Sequence, residues 1–448
     1  MRSRLLLLIS FSFGMVVTAA SQQPSSPSAP LTLTLQDALS RARANSIQFQ
    51  AAQTDAAVAH QDTVQARAGL LPSVNYHNEY LFTQGTGGVP ETPANPGAAT
   101  TGTPRFIANN AVHEYASQGI AEETLSFAQW SDYRRARALE AVARAKSEIA
   151  SRGLVVTVVQ DYYGLLSAQR KYANAQLAAT EAQGFLDLSR KLEHGGEVAH
   201  SDVIKAQIQA NDRQRDLREA QLAMDKARLE LAVMLFPSFE ENFTIIDDAE
   251  LAPPLSSFED FAHLAQANNT DVRLSNAALN AAGRELASAR AGYLPSLTLD
   301  YFYGIDAPQF ATHGPDGVNN LGYSASATLN IPIWNWGATR SKVLQAGLRQ
   351  KQAQRELSLT QRKLLADIRT LHAEAAAALA ELDLLKSSAD LAAEGLRLTN
   401  LRYQGGEATV LEVVDAQNTL MQARNSWSDG AVRYRTALAN LQTLTGTM

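Results

Sequence analysis

Glu412 and Asp415 are three residues apart, so on a helix their carboxylates share one face. The chemistry open to such a pair is electrostatic. Carboxylates gathered at a narrow mouth focus a negative potential and draw cations. Plainer uses also fit: Thr409 stands three residues before Glu412, the spacing of a capping box, and Asp415 suits a solvated helix surface. Both acids belong to QGGEATVLEVVDAQ, residues 404–417, which follows Tyr403 and breaks a long helical pattern with Gly405, Gly406 and Glu407. HGGEVAHSDVIKAQ, residues 194–207, repeats the device with Gly195, Gly196 and Glu197. It places Asp202 where a first-turn acid meets a helix dipole. Glycines at both places suit a turn with positive φ after a helix C-terminus. Tyr403 fits a packed position in a helical seam.

Covalent chemistry finds no support. The eight histidines are scattered, and His194 and His200 are six residues apart, a poor spacing for two ligands on one helix. No HExxH, P-loop, G-x-S-x-G or Cys/His cluster occurs. The lack of cysteine removes a disulfide framework, a thiolate metal site and a cysteine nucleophile. No enzyme activity, metal or cofactor is expected.

Residues 1–20, MRSRLLLLISFSFGMVVTAA, read as a secretory signal peptide with cleavage expected near Ala20. Loss of Arg2 and Arg4 with it takes the formal charge from -6 to -8, which disfavours nucleic acid as a partner. No later run of about 18 apolar residues suggests a transmembrane helix, and no cysteine at the cleavage site offers a lipid anchor. An exported chain of this kind is periplasmic, secreted or an outer-membrane barrel.

The elements that position the two glycine tips are themselves duplicated. ARAGLLPSVNY from Ala66 returns as ARAGYLPSLTL from Ala289 at an offset of 223, and the tips return at an offset of 210. A first repeat spans 31–236 and a second 258–446, joined by an acidic, proline-containing connection at 237–257. Each repeat reads helix, strand, loop, strand, long helix, tip, helix. Pro72 and Pro295 end the first helix. The long helices are expected over about 132–193 and 338–403, the tips over 194–202 and 404–410. In the second, Leu364, Ile368, Leu371, Ala375, Ala378, Leu382, Leu385, Ala389, Ala392 and Leu396 alternate spacings of four and three, a heptad seam.

Strands are expected at about 73–83, 112–128, 296–304 and 321–334. SLTLDYFY puts Leu297, Leu299, Tyr301 and Tyr303 on one face against Ser296, Thr298 and Asp300. This alternation marks a membrane barrel strand or a half-buried soluble sheet. Trp334 and Trp336 lie at a strand-to-helix junction, and Trp130 at the matching junction of the first repeat, where an interfacial belt would sit. In VHEYASQGIAEETLSF no register keeps every charge off one face; a bulge near Gly119 would resolve this. Residues 84–111, rich in Gly, Pro, Thr and Ala, read as an irregular external loop. Four strands cannot close a barrel, and an open edge is not viable in lipid. A spanning barrel would therefore be shared, with eight strands from two chains or twelve from three.

LTLQDALSRARANS near the start, the doubled ARAG-x-LPS element and the doubled tip with RYQGGEATVLEVVDAQNTL make the chain resemble the TolC family of outer-membrane efflux channels. The resemblance covers essentially the whole mature chain. It implies an α+β, mainly α protomer that trimerises into a 12-stranded barrel in outer-membrane lipid. Below the barrel it implies a 12-helix periplasmic tunnel, with an equatorial belt around the chain ends and the connection. It further implies that the tips form the periplasmic entrance and meet a periplasmic adaptor protein of an inner-membrane pump. Tyr403 and Asp202 match a bonded pair that restrains the closed entrance. Ala408 stands where a second restraint has an arginine, whose hydroxyl partner matches Ser201. Glu412 and Asp415 match acids that ring the entrance, six carboxylates per trimer. The alternative is a barrel-anchored, coiled-coil adhesin-like surface protein; its barrel would sit at the C-terminus, whereas here strands lie inside each repeat.

Overall fold

The computed structural model describes residues 31–82, 113–238, 241–249, 252–314 and 317–447, with the dipeptides 88–89 and 103–104. The leader and most of the expected loop at 84–111 lie outside these residues. In chain order the elements are β1 (Leu31–Leu33), α1 (Leu35–Asn45), α2 (Ile47–Ala68), β2 (Ser73–Phe82), β3 (Gly88–Val89), β4 (Thr103–Pro104), β5 (His113–Ser126), α3 (Phe127–His194) and α4 (His200–Leu235). They continue with β6 (Phe243–Ile245), α5 (Phe258–Asn268), α6 (Thr270–Ala291), β7 (Ser296–Ala307), β8 (Leu321–Asn330), α7 (Ala338–Gln404) and α8 (Val410–Thr445). The fold is α+β and mainly helical.

Two helices, not one, precede each strand pair. The break is a cap: the Ser46 hydroxyl accepts from Phe49 N at 3.2 Å, and Asn269 Oδ1 accepts from Asp271 N and Val272 N at 2.9 and 3.1 Å. Ser46 and Asn269 occupy matching places in the two repeats. α3 and α7 have 68 and 67 residues, each about 100 Å long at 1.5 Å per residue. Among the described residues no helix is long and apolar enough to cross a membrane.

The main sheet has the order β2-β5-β7-β8, antiparallel throughout. Its register is continuous along β5 on both sides, so no bulge interrupts it near Gly119. The strand stays regular because its apolar face tolerates polar groups. Ser117 lies there, and its Oγ lies 2.8 Å from both Tyr76 Oη and Asn78 Oδ1. β8 stops at Asn330, short of the expected 334. Pro332 follows and has no N–H to give the ladder. β2 and β8 are the open edges.

Three apolar cores run down the helices. One gathers β1, β6, α1, the middle of α3 and the ends of α4 and α8 around Tyr162, Leu166, Leu231 and Leu235. There β1 pairs in parallel with β6, and Tyr162 Oη donates to Ile246 O at 2.9 Å, fixing the connection against α3. A second joins α5, α7 and α8 around Ile368, Tyr434 and Leu441. The third lies at the tips. Every residue of the α7 seam is buried or half-buried.

Candidate functional site

The two tips are built alike at their helix ends. Glu197 N donates to Leu192 O at 2.9 Å, and Glu407 N to Arg402 O at 2.8 Å, closing the last turns of α3 and α7. Only the second glycine of each pair needs its freedom: Gly196 has φ 77° and Gly406 φ 75°, whereas Gly195 and Gly405 have φ -76° and -84°. The expectation of positive φ therefore holds for one glycine per tip. Glu197 and Glu407 are exposed at the apices.

The helices that leave the tips begin differently. Thr409 caps α8 in a full capping box. Its Oγ1 accepts from Glu412 N at 3.3 Å, and Thr409 N donates to Glu412 Oε1 at 3.1 Å. Arg402 Nη1 also lies 3.3 Å from Glu412 Oε2. Chiefly the backbone hydrogen bond from Thr409, then its hydroxyl and Arg402, hold the Glu412 carboxyl below its usual range. Glu412 is thus a tied and partly neutralised acid, and Asp415 is exposed one turn on. The matching positions of the first tip are Ala199, with no side-chain cap, and Asp202 and Lys205, which pair with each other at 3.3 Å.

Tyr403 does not bond Asp202. It is 3% exposed, its ring centroid is 5.0 Å from that of Phe185, and its hydroxyl lies 3.1 Å from Ser189 Oγ on α3. The Tyr403 side chain lies in the tip core, and Asp202 lies at the rim with Lys205. Ser189, itself 0% exposed, was not legible as a partner, since only its burial in the α3 seam distinguishes it from other serines. A second unforeseen tie joins α4 to α8: buried Arg213 donates to Asn418 and, at 2.8 Å, to Asp216. Farther along, Glu181 meets Arg424 at 3.1 Å and Lys171 meets Asp429 at 2.9 Å, bonding α3 to α8.

At the opposite end the aromatic side chains are open. Trp130 lies in the first turn of α3, its ring 5.3 Å from the Arg134 guanidinium. Trp334 and Trp336 meet edge to face at 5.9 Å between β8 and α7, with Trp336 90% exposed. All three sit where strands hand over to helices.

Comparison with known proteins agrees with this architecture. The profile of the family described as outer membrane efflux protein matches residues 261–447, the second repeat. The proteases secretion protein PrtF of Dickeya chrysanthemi is 23% identical over 430 residues, covering 92% of this chain and 88% of its own. The outer membrane protein TolC of Vibrio cholerae is 22% identical over 404 residues, covering 89% and 86%. The chain is similar to outer-membrane efflux and secretion proteins of the TolC type over most of its length. The Campylobacter jejuni CmeC outer membrane channel superposes with a TM-score of 0.77 at 16% identity, over 92% of this chain and 85% of that one. That likeness is one of fold. The tips and the tryptophans lie at opposite ends of the long helices, some 100 Å apart, so no single site contains both.

Proposed function

We propose that this TolC-like chain is one third of a passive outer-membrane duct for efflux or type I secretion in a Gram-negative bacterium. The observation that carries this reading is the sheet. Its four strands have one largely apolar face, and both edges, β2 and β8, are unpaired. Lipid tolerates no such edge, and three copies joined edge to edge give twelve strands. The helices lend support: Leu384, Leu391 and Leu398 are exposed on α7 at intervals of seven, a second seam that a neighbouring helix would cover. Trp130, Trp334 and Trp336 then mark the periplasmic membrane interface, and the helices reach through the periplasm. Gly195, Gly196, Glu197, Gly405, Gly406 and Glu407 form the end that meets a periplasmic adaptor, with the energy supplied by an inner-membrane pump. Tyr403 restrains the entrance through Ser189, Asp202 lies at its rim, and Glu412 and Asp415 set its charge. Native mass measurement and crosslinking in detergent test this reading. A trimer is expected, and a stable folded monomer would overturn it.

A further inference from the structure

Glu123 is an acid on the wrong side of the sheet. In β5 it pairs with Leu299, which pairs with Ala327, so it stands on the face that carries Leu125, Leu297, Tyr301 and Leu329. Its Oε2 is buried and has no hydrogen-bond partner among the described residues. Two largely apolar clefts of about 440 Å³ each share Glu123 in their lining. One runs toward Trp130 and Pro295 at the helix junction. The other runs up the sheet past Leu299 and Tyr301. Among the described residues no cation forms an ion pair with it, and β2, β5, β7 and β8 contain no Lys or Arg, which holds equally for the same strands of a neighbouring copy. Nor can a neighbour's strand lie beside it, because β5 is flanked by β2 and β7 of its own chain.

A carboxylate accepts hydrogen bonds only, so its missing partner is an N–H or O–H donor, and a cationic donor bonds it most strongly. In lipid a bare carboxylate is costly, because no water replaces the missing donor. The geometry points to a binding site for one phospholipid with a primary ammonium headgroup. The ammonium donates to Glu123 just above the Trp130 level, and one acyl chain lies in the cleft along Leu299 and Tyr301. This inference rests on the trimeric barrel reading, which makes that face the lipid face.

The test uses the purified full-length trimer in detergent, with native mass spectrometry of bound lipid and thermal stability of the trimer. The probes are phosphatidylethanolamine, phosphatidylcholine and phosphatidylglycerol of one acyl composition. Phosphatidylcholine keeps the positive charge but has no N–H. The wild-type protein should prefer phosphatidylethanolamine over both by about tenfold, the worth of one charge-assisted bond. Glu123→Gln should lose that preference while remaining a trimer of unchanged conductance. If Glu123→Gln does not assemble, the headgroup comparison on the wild-type protein still decides. A trimer that binds the three lipids alike, or a Glu123→Gln trimer that keeps the preference, overturns the lipid site alone. A wild-type chain that stays monomeric and outside membranes overturns the barrel reading and this site with it.

Discussion

Replacing Tyr403 by Phe isolates the tie at the tip. The ring keeps its place against Phe185, and only the hydroxyl that meets Ser189 at 3.1 Å is lost. The net worth of such a bond is about 1 kcal/mol. Ser189 is fully buried, so an orphaned hydroxyl there adds a desolvation cost unless it turns to a carbonyl of its own helix. Each single change, Tyr403→Phe or Ser189→Ala, should therefore cost about 1–2 kcal/mol locally. The double change removes both partners and should cost little more than either alone, leaving a coupling of about 1 kcal/mol. In a trimer three ties act on one entrance. Their joint bias of about 3 kcal/mol corresponds to roughly a hundredfold in the ratio of open to closed states.

Single-channel conductance reads the entrance, and hydrogen exchange in residues 185–210 and 396–420 reads the tip core. Tyr403→Phe and Ser189→Ala should each raise conductance and local exchange, non-additively, with the trimer intact. Asp202→Asn should show no coupling to Tyr403→Phe, because Asp202 pairs with Lys205. Wild-type conductance in Tyr403→Phe, or additive effects of Tyr403→Phe and Ser189→Ala, would refute the tie. Coupling of Tyr403 to Asp202 instead would restore the bond that the sequence comparison suggested.

Other outcomes follow from the same geometry. Asp415→Ala should weaken cation preference in bilayer reversal potentials more than Glu412→Ala does, since Arg402 already offsets Glu412; equal selectivity in wild type and both variants would make these acids cap and surface only. Gly196→Ala and Gly406→Ala, at φ 77° and 75°, should each loosen the tip by about 1 kcal/mol, whereas Gly195→Ala and Gly405→Ala should be nearly silent; limited proteolysis at the tips compares the four. The folded Glu412 carboxyl is held below its unfolded value, so its stabilisation is complete above the usual carboxylate range and is lost as pH falls below that range through the lowered value. Exchange at the start of α8 should rise in that window, and Glu412→Gln should abolish the rise.

Legibility differed from element to element for physical reasons. Pro72 and Pro295 announce the helix ends because proline acts on its own backbone, and the Thr409–Glu412 box is visible because both partners lie within one turn. The alternation in β7 is legible, since Leu297, Leu299, Tyr301 and Tyr303 share one face and only Phe302 joins Ser296, Thr298 and Asp300 on the other. β5 was harder. Its apolar face carries Ser117, satisfied by Tyr76 and Asn78 across the strand pair, and Glu123, whose Oε2 has no partner among the described residues. A pattern read along one strand cannot see those cross-strand bonds, so the sequence leaves room for a bulge where the ladder is regular. The breaks at Ser46 and Asn269 were legible in principle, as matched capping residues in both repeats. The partner of Tyr403 was not, because it depends on how α7 is rotated against α3.

The duplication also explains why the charge at the tips is one-sided. The offset of 210 sets Thr409 against Ala199, Glu412 against Asp202 and Asp415 against Lys205. In the first tip the acid is answered by the base one turn on, and the helix start is uncapped. In the second the acid is drawn into the cap, and the position one turn on is a second acid. Two copies of one hairpin thus give one nearly neutral rim and one acidic rim. In a trimer they would alternate around the entrance, so its negative potential would rest chiefly on three Asp415 side chains rather than on six equal carboxylates. The charge divergence lies largely at solvent-facing positions, while several buried pairs, Val203 and Val413 or Leu186 and Leu396, keep the same residue. Packing constrained both copies to one shape and left their surfaces free to take different charge.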